Sequence, residues 1–265
     1  MDLSIIIPCF NHGLYLDDVI ESIKTINAVK YEVIIVNDGS TDGFTLNKLK
    51  EMEHQGFTVI SHQNSGPAFS RNAGIKMSKG TYILPLDADN KVLPTYIDKG
   101  IEILRDGGFD IVYGNPIFFG EGTVAREFET KDFNIGDLFI SNYIDTCALY
   151  KKEVWEKTGG YDPKIPFHGQ EDWEFWINAA SKGFKFYHID EGLYYYRVLN
   201  NSLAANLKQD KDNLNHDYIL KKHFELFTKT LIANYTYGKM YQRDLKTPLR
   251  ASLKYLVRFF KSSKH

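Results

Sequence analysis

Short apolar runs alternate with helical patterns along the first half of the chain, and this alternation constrains the possible folds most strongly. Four runs are rich in β-branched residues and end at turn residues: Leu3 to Pro8, Glu32 to Val36, Thr58 to Ile60 and Tyr82 to Leu86. The stretches between them, Tyr15 to Ile26, Leu46 to Met52 and Ala68 to Met77, have helical spacing. Apolar strands separated by helices indicate a parallel sheet with helices on both faces. We therefore predict an α/β fold with a doubly wound, mostly parallel sheet.

The pattern is less regular in the second half of the chain. It predicts a helix, a strand, a helix and two strands: about Tyr96 to Leu104, Asp110 to Tyr113, Glu171 to Ala180, Phe184 to His188 and Leu193 to Val198. Residues 114–166 contain glycine breakers and have no clear period. After Asn200 the chain is predicted to be helical to its end.

Composition excludes several classes of protein. With 43% hydrophobic and 25% charged residues, the chain is unlike a disordered one. A formal net charge of −2 gives no general attraction to nucleic acid, so we expect no nucleic-acid partner. Cys9 and Cys147 have neither metal-binding nor redox spacing, which indicates a reducing, cytoplasmic compartment. We also expect no signal peptide or membrane span, because no apolar run reaches that length.

An acidic pair, Asp87-Ala88-Asp89, directly follows the predicted strand Tyr82 to Leu86. Open α/β sheets bind ligands beyond the carboxyl ends of their strands. Carboxylate oxygens are the ligands that Mg²⁺ and Mn²⁺ prefer. An Asp-x-Asp pair alone is weak support, since acidic loops are common on any surface, but its position after a strand favours a metal site.

Asp38 and Arg71 each have two interpretations. Asp38 lies in Asn37-Asp38-Gly39-Ser40, whose residue types favour a turn, but its carboxylate could instead accept a hydrogen bond from a nucleotide base. Arg71 lies in the first turns of a helix after Gly66-Pro67. Its guanidinium is either solvated at the surface or directed at a base or phosphate.

Glu171 and Asp172 open the helix predicted from Glu171 to Ala180. Acids in a first turn stabilise a helix through its dipole, and one of them could instead be a general base. Trp173 and Trp176 share a helix face, as core residues usually do, and Trp173 is the candidate for contact with a sugar. The histidines His12, His168 and His188 share no metal spacing, so none is assigned to a metal.

Taken in order, six segments of the chain resemble the inverting family 2 glycosyltransferases of the GT-A fold. The segments are SIIIPCFN (4–11), VNDGSTD (36–42), GPAFSRNAG (66–74), GTYILPLDAD (80–89), GGYD (159–162) and ED (171–172). The resemblance covers about the first 200 residues. It implies a metal-dependent, hexosyltransferase-like enzyme (class EC 2.4) that inverts the anomeric carbon. The donor would be a nucleoside-diphosphate sugar, most often a UDP-sugar, and the acceptor a hydroxyl of a saccharide or lipid-linked saccharide, as in bacterial polysaccharide biosynthesis.

The resemblance also implies roles for individual residues in the nucleotide pocket. Pro8, Phe10 and Asn11 would line the pocket, and Asp38 and Arg71 would recognise the base. Asp87 would contact the ribose side of the nucleotide, and Ala88 belongs to the same pocket.

Metal binding and catalysis are implied at three further positions. Asp89 would bind Mn²⁺ or Mg²⁺. Asp172 would be the catalytic base, and Glu171 would contact donor or acceptor.

The chain departs from the family pattern after Arg197. Many relatives have a histidine two residues after this arginine, where this chain has Leu199. This position therefore supplies no third protein ligand to the metal, and water or phosphate would take that place. Arg197 would still offset charge on the diphosphate.

The predicted domain boundary lies near residue 200. Residues 1–200 form the glycosyltransferase domain, with a nucleotide-binding half (1–113) and an acceptor-binding half (114–200). Residues 201–265 form a helical C-terminal region. Its tail has apolar residues at helical spacing from Leu249 to Phe260 among basic residues, which is typical of a helix on the inner face of an anionic membrane or one packed on protein.

Two other functions stay open. A sugar nucleotidyltransferase usually needs a glycine-rich, basic loop after the first strand. Residues 8–13 contain one glycine and neither lysine nor arginine, which disfavours this function. The other alternative is a nucleotide-sugar-binding protein of the same fold without turnover.

Overall fold

The computed structural model describes residues 1–27, 29–121, 130–199 and 209–246. The chain divides into two compact units, Met1–His223 and Phe224–His265. No helix within the described ranges is long and apolar enough to cross a membrane. The amphipathic tail predicted from Leu249 to Phe260 lies outside the described residues.

An eight-stranded sheet forms the centre of the first unit, with strand order β3-β2-β1-β4-β7-β6-β8-β5. The strands are β1 (Leu3–Cys9), β2 (Tyr31–Asn37), β3 (Thr58–Ser61), β4 (Tyr82–Pro85), β5 (Lys91–Val92), β6 (Ile111–Gly120), β7 (Leu149–Lys151) and β8 (Phe186–Val198). Neighbouring strands are parallel except where β7 pairs with β4 and β6, and where β5 pairs with β8. The prediction of a mostly parallel α/β sheet is confirmed.

Among the residues that the structure describes, the first unit has eight α-helices. They are α1 (Leu16–Ile23), α2 (Gly43–His54), α3 (Pro67–Met77), α4 (Pro94–Arg105), α5 (Ile135–Ile140), α6 (Lys152–Thr158), α7 (Glu171–Ser181) and α8 (Gln209–Lys222). The second unit contains α9 (Phe224–Lys246) among its described residues. The first unit thus extends beyond residue 200 and includes α8.

Both faces of the sheet are buried, as the near-continuous apolar strands require. Ile5 and Ile7 pack in one core cluster with Leu16 of α1. Ile6 points to the opposite face, because successive side chains alternate along a strand. There it meets α3 at Gly74, where a Cβ atom would lie 2.5 Å from Ile6 Cγ2. Glycine therefore lets α3 approach the sheet closely, and Arg71 lies one turn earlier on this helix.

Three strand predictions in the second half were wrong in extent. The runs predicted as separate strands, Phe184 to His188 and Leu193 to Val198, form the single strand β8. The charged residues between them concealed its continuity. The strand predicted from Asp110 to Tyr113 continues as β6 to Gly120, with irregular register around Asn115 where it pairs with β8.

Candidate active site

The carboxyl ends of β2, β1 and β4 are neighbours in the sheet, so the polar loops that follow them lie along one rim. The backbone at Asn11 is left-handed, with φ 55°. Its side-chain oxygen accepts hydrogen bonds from Thr41 N at 2.8 Å and Asp42 N at 3.2 Å. These bonds fix the loop after β1 to the loop after β2. Phe10 is 44% exposed at this rim, whereas Pro8 is partly buried.

Asp38 holds the loop that leads into α3. Its two carboxylate oxygens accept hydrogen bonds from Ser65 N at 2.7 Å and Gly66 N at 3.0 Å. His62 Nδ1 lies 3.4 Å from the same carboxylate, which is buried. Asp38 therefore orders a neighbouring loop rather than its own turn, and each carboxylate oxygen has further acceptor capacity for a ligand.

Arg71 is a buried bridge between the rim and α7. One guanidinium nitrogen donates to Asp87 Oδ1 at 2.9 Å and the other to Glu171 Oε1 at 3.2 Å. The residue is 5% exposed, which excludes the interpretation as a solvated surface arginine. Despite burial, the two carboxylates hold the pKa of Arg71 above its ordinary value. This bridge places the start of α7 beside the acidic loop after β4.

Glu171 and Asp172 differ in how their carboxylates are used. Glu171 is 2% exposed, and its second oxygen accepts from Gly169 N at 2.7 Å. Asp172 is partly exposed and accepts from Asn142 Nδ2 at 3.2 Å. Burial, then the nearby charges of Glu171 and Asp145, raises the pKa of Asp172 to about 8. Asp172 is therefore the acid of this pair that is open to a ligand and able to exchange a proton near neutral pH.

Asp145 is an acid of this site that the sequence interpretation missed. It lies between α5 and β7, and its Oδ1 accepts from Cys147 N at 2.8 Å. Burial, then the charge of Asp87, raises its pKa to about 7, and the charge of Asp89 acts in the same direction. The charge of Asp145 also acts on Asp172, so Asp145 is electrostatically linked to both the rim acids and the start of α7. The only sequence signal was one acid within the apolar run from Tyr143 to Ala148.

Asp89 is the better enclosed of the two rim acids. Its side chain is 15% exposed, compared with 32% for Asp87. Burial, then the charge of Asp87, raises the pKa of Asp89 to about 7. His12 Nδ1 lies 4.0 Å from Asp89 Oδ2, and partial burial lowers the pKa of this histidine.

The chemistry around Asp89 fits a divalent ion shared with phosphate. Within the described ranges, no group of three or more histidine, cysteine, aspartate or glutamate side chains is arranged to hold a metal by itself. Mg²⁺ and Mn²⁺ commonly use one or two protein carboxylates and take phosphate and water as further ligands. Asp89 at the rim matches a site of this kind, in which the protein supplies few ligands and phosphate and water supply the rest.

Arg197 on β8 holds the loop that carries Asp89. Its Nε donates to the carbonyl oxygen of Asp89 at 2.9 Å, and its Nη2 pairs with Asp18 Oδ2 at 2.5 Å. Its guanidinium carbon lies 4.5 Å from the Tyr15 ring centroid and 4.4 Å from that of Phe119. These contacts fix the positive charge of Arg197 beside the loop that carries Asp89.

Trp173 lies in the core of the first unit. It is 5% exposed, its indole N–H donates to Leu138 O at 2.6 Å, and its ring stacks on His216 at 5.2 Å. This position favours the core interpretation of the tryptophan pair over contact with a sugar. Trp176 is fully buried as well.

The chain is similar in sequence or structure to two proteins named as sugar transferases and to a protein solved with a nucleotide-sugar. The chain is 30% identical over 217 residues to an Escherichia coli enzyme named UDP-Glc:alpha-D-GlcNAc-diphosphoundecaprenol beta-1,3-glucosyltransferase WfaP, covering 77% of this chain and 80% of that one. The structure of Staphylococcus aureus TarS 1-349 with UDP-GlcNAc superposes with a TM-score of 0.65 at 16% identity, over 84% of this chain and 72% of that chain. The mannosyltransferase PcManGT of Pyrobaculum calidifontis, solved with GDP-Man and Mn²⁺, gives a TM-score of 0.61 at 17% identity, over 77% and 59% of the two chains.

The sequence model of one family describes the part of the chain that forms the rim. The model named Glycosyl transferase family 2 matches residues 4–159, which is more than half of the chain. This range includes the loops of Asn11, Asp38 and Asp87-Ala88-Asp89, together with Arg71 and Asp145. The chain is a member of glycosyl transferase family 2, with a GT-A-like fold.

Proposed function

We propose that this chain transfers a hexose, with inversion, from a UDP-sugar to a hydroxyl of a saccharide or lipid-linked saccharide. The observation that carries the proposal is the Arg71 bridge, because it ties Glu171, the neighbour of Asp172 at the start of α7, to Asp87 on the rim. A leaving diphosphate at that rim and a proton acceptor at Asp172 are the two groups that a single displacement needs.

The nucleotide is assigned to the rim after β1 and β2. The exposed ring of Phe10 offers an apolar surface for a base, and Asp38 keeps acceptor capacity for a base N–H. UDP is the preferred nucleotide because the E. coli relative is named for UDP-Glc and TarS was solved with UDP-GlcNAc. Asn11 orders this pocket through its bonds to the next loop.

The reaction is a direct attack of the acceptor oxygen on the anomeric carbon. Asp172 takes the proton of the acceptor hydroxyl as the new glycosidic bond forms and the bond to UDP breaks. Mn²⁺ or Mg²⁺, when bound beside Asp89, would offset the charge that develops on the departing diphosphate. Arg197 adds a fixed positive charge behind the same loop.

The neighbouring residues prepare Asp172 for this role. Glu171 and Arg71 hold the start of α7, and Asn142 orients the Asp172 carboxylate. A pKa near 8 suits a base that must accept a proton and release it again near neutral pH. Asp145, whose charge acts on Asp172, would accept hydrogen bonds from sugar hydroxyls.

The acceptor is assigned only by class. The name of the E. coli relative specifies a sugar linked to a diphosphate lipid, which supports a lipid-linked saccharide here. Assembly of a bacterial polysaccharide is the setting that such an acceptor implies.

A donor screen tests the proposal. The full chain is incubated with UDP-Glc, UDP-GlcNAc, GDP-Man and ADP-Glc, each with Mn²⁺, and both the melting temperature and nucleotide release are measured. We expect a UDP-sugar to raise the melting temperature most and to release UDP. Binding of a UDP-sugar without release in the presence of any saccharide acceptor would instead support the binding protein without turnover. The absence of binding by any nucleotide-sugar would contradict both functions.

A further inference from the structure

His12 lies opposite the only rim carboxylate that is assigned to the metal. Its Nδ1 is 4.0 Å from Asp89 Oδ2, and its side chain is 40% exposed. The ring meets Tyr15 edge-on, at 5.7 Å between centroids. Arg197 packs on the same Tyr15 ring. His12, Tyr15 and Arg197 therefore form one continuous group around the Asp89 loop.

The backbone on both sides of His12 is fixed. Asn11 is held by the loop after β2, as described above. Gly13 N donates to Thr45 Oγ1 at 2.8 Å. A Cβ atom on Gly13 would lie 2.5 Å from Thr45 Cα, so this position requires glycine. The loop consequently presents His12 to the rim at a defined place, with its side chain 40% exposed.

We propose that His12 is a protein ligand of the divalent metal, binding it together with Asp89. This inference rests on the proposed function, because the remaining positions of the ion would be taken by the donor diphosphate and water. The imidazole would come from the loop after β1, because Leu199 occupies the position two residues after Arg197.

The separation of the two side chains fits an ion between them. With ligand distances of about 2.1 Å, two neighbouring ligands of an octahedral ion lie about 3 Å apart and two opposite ligands about 4.2 Å apart. The observed 4.0 Å lies between these limits. It is too long for a direct hydrogen bond between the groups, so the contact is not a closed ion pair.

The type of ligand predicts which ion the chain prefers. Both ions bind well to oxygen ligands, but Mn²⁺, as a transition metal, accepts an imidazole nitrogen more readily than Mg²⁺ does. A site with Asp89, His12 and diphosphate should therefore bind Mn²⁺ more tightly than Mg²⁺. Loss of His12 should reduce that preference and leave an oxygen-only site.

Two measurements on the full chain test the inference. The first is the affinity for UDP by calorimetry, at saturating Mn²⁺ and separately at saturating Mg²⁺. The second is pulsed EPR of the Mn²⁺–UDP–protein complex, which detects a nitrogen bound to manganese. The variants are His12→Gln and Asp89→Asn, with His54→Gln as control, since His54 is an exposed residue at the far end of α2.

We expect His12→Gln to weaken UDP binding in Mn²⁺ by about tenfold. Binding in Mg²⁺ should change less than threefold, and the nitrogen signal should disappear. His54→Gln should keep both. A nitrogen signal and Mn²⁺ preference that persist in His12→Gln, while Asp89→Asn loses metal-dependent binding, would overturn this inference alone. Wild-type binding of UDP that is independent of any metal would overturn the metal-dependent part of the proposed function as well.

Discussion

Arg71 and Glu171 are separated by 100 positions in the chain, yet their side chains form a buried hydrogen-bonded ion pair of 3.2 Å. The second arm of the same guanidinium reaches Asp87. One side chain thus joins the loop that is assigned to the nucleotide with the helix that is assigned to proton transfer. Loss of this bridge should therefore both destabilise the fold and disturb the arrangement of the site.

Replacing Arg71 by methionine should destabilise the protein strongly. The change leaves Glu171 buried and unpaired, and removing one partner of a buried pair costs about 3–5 kcal/mol. We expect the free energy of unfolding in urea to fall by about 3 kcal/mol or more. The matched control is Lys99→Met, which removes an exposed pair with Glu191 and should cost less than about 1 kcal/mol. Equal losses in the two variants would show that the Arg71 bridge is not a structural anchor.

Asp145→Asn should shift the pH dependence of activity. The negative charge of Asp145 raises the pKa of Asp172, so its removal lowers that pKa. Because a base acts when deprotonated, kcat/KM should rise with pH through the pKa of Asp172, near pH 8 in the wild type. We expect this acidic limb to move to lower pH in Asp145→Asn and to stay in Asp145→Glu, which keeps the charge. A pH profile that is unchanged in Asp145→Asn would show that the charge of Asp145 does not influence the pKa of the catalytic base.

The same acids predict how stability depends on pH. Folding raises the pKa values of Asp145 and Asp172 to about 7 and 8, above their unfolded values. The folded state then binds more protons than the unfolded state between about pH 4 and 8, so stability falls as pH rises through this range. We expect the wild type to be more stable at pH 5.5 than at pH 8 in chemical unfolding. The double variant Asp145→Asn/Asp172→Asn should have a weaker pH dependence over the same range, and an equal or steeper decline would contradict these shifts.

Helix α8 should be required by the first unit, although it follows the boundary predicted at residue 200. Lys222 and His223 contact Glu174 Oε1 at 2.9 and 2.7 Å, and Glu174 on α7 is fully buried. Asn215 holds the backbone of Phe167 before α7 through two hydrogen bonds.

Truncation separates these two boundaries. A chain ending at residue 223 should keep UDP binding and cooperative unfolding. A chain ending at 208 should unfold at a lower temperature or fail to fold, because Glu174 loses both partners. Equal melting temperatures for the two truncated chains would place the boundary before α8.

The parts of the fold that could be predicted from the sequence are those with a strong local pattern. Strands β1, β2 and β4 are buried on both faces and form continuous apolar runs in the sequence. The ends of the β2 and β4 runs also showed that Asp38, Asp87 and Asp89 follow strands. β5 and β7 have two and three residues, so their pairing partners rather than local pattern define them. Asp145 escaped notice because it precedes one of these short strands.

The chemical roles within the site were harder to predict than its location. Nothing in the local sequence distinguishes the buried Arg71 from an exposed helix arginine, since its partners Asp87 and Glu171 are distant in the chain. The different roles of Glu171 and Asp172 likewise depend on burial, because Glu171 is 2% exposed and Asp172 is partly exposed. Trp173 was proposed as a sugar contact from its neighbours in sequence, whereas its helix face is directed to the core.

The most direct measurement of the central claim is the rate of sugar transfer by Asp172→Asn, with the donor identified in the screen and a saccharide acceptor. Asparagine keeps the size of the side chain and, through its amide oxygen, one of the two hydrogen bonds that the carboxylate accepts from Asn142 Nδ2 and Trp173 N, but it cannot accept the hydroxyl proton. We predict a fall in kcat of about 10²–10⁴-fold, typical of a lost general base, with UDP affinity changed less than threefold. Transfer by Asp172→Asn within tenfold of the wild-type rate would contradict the account.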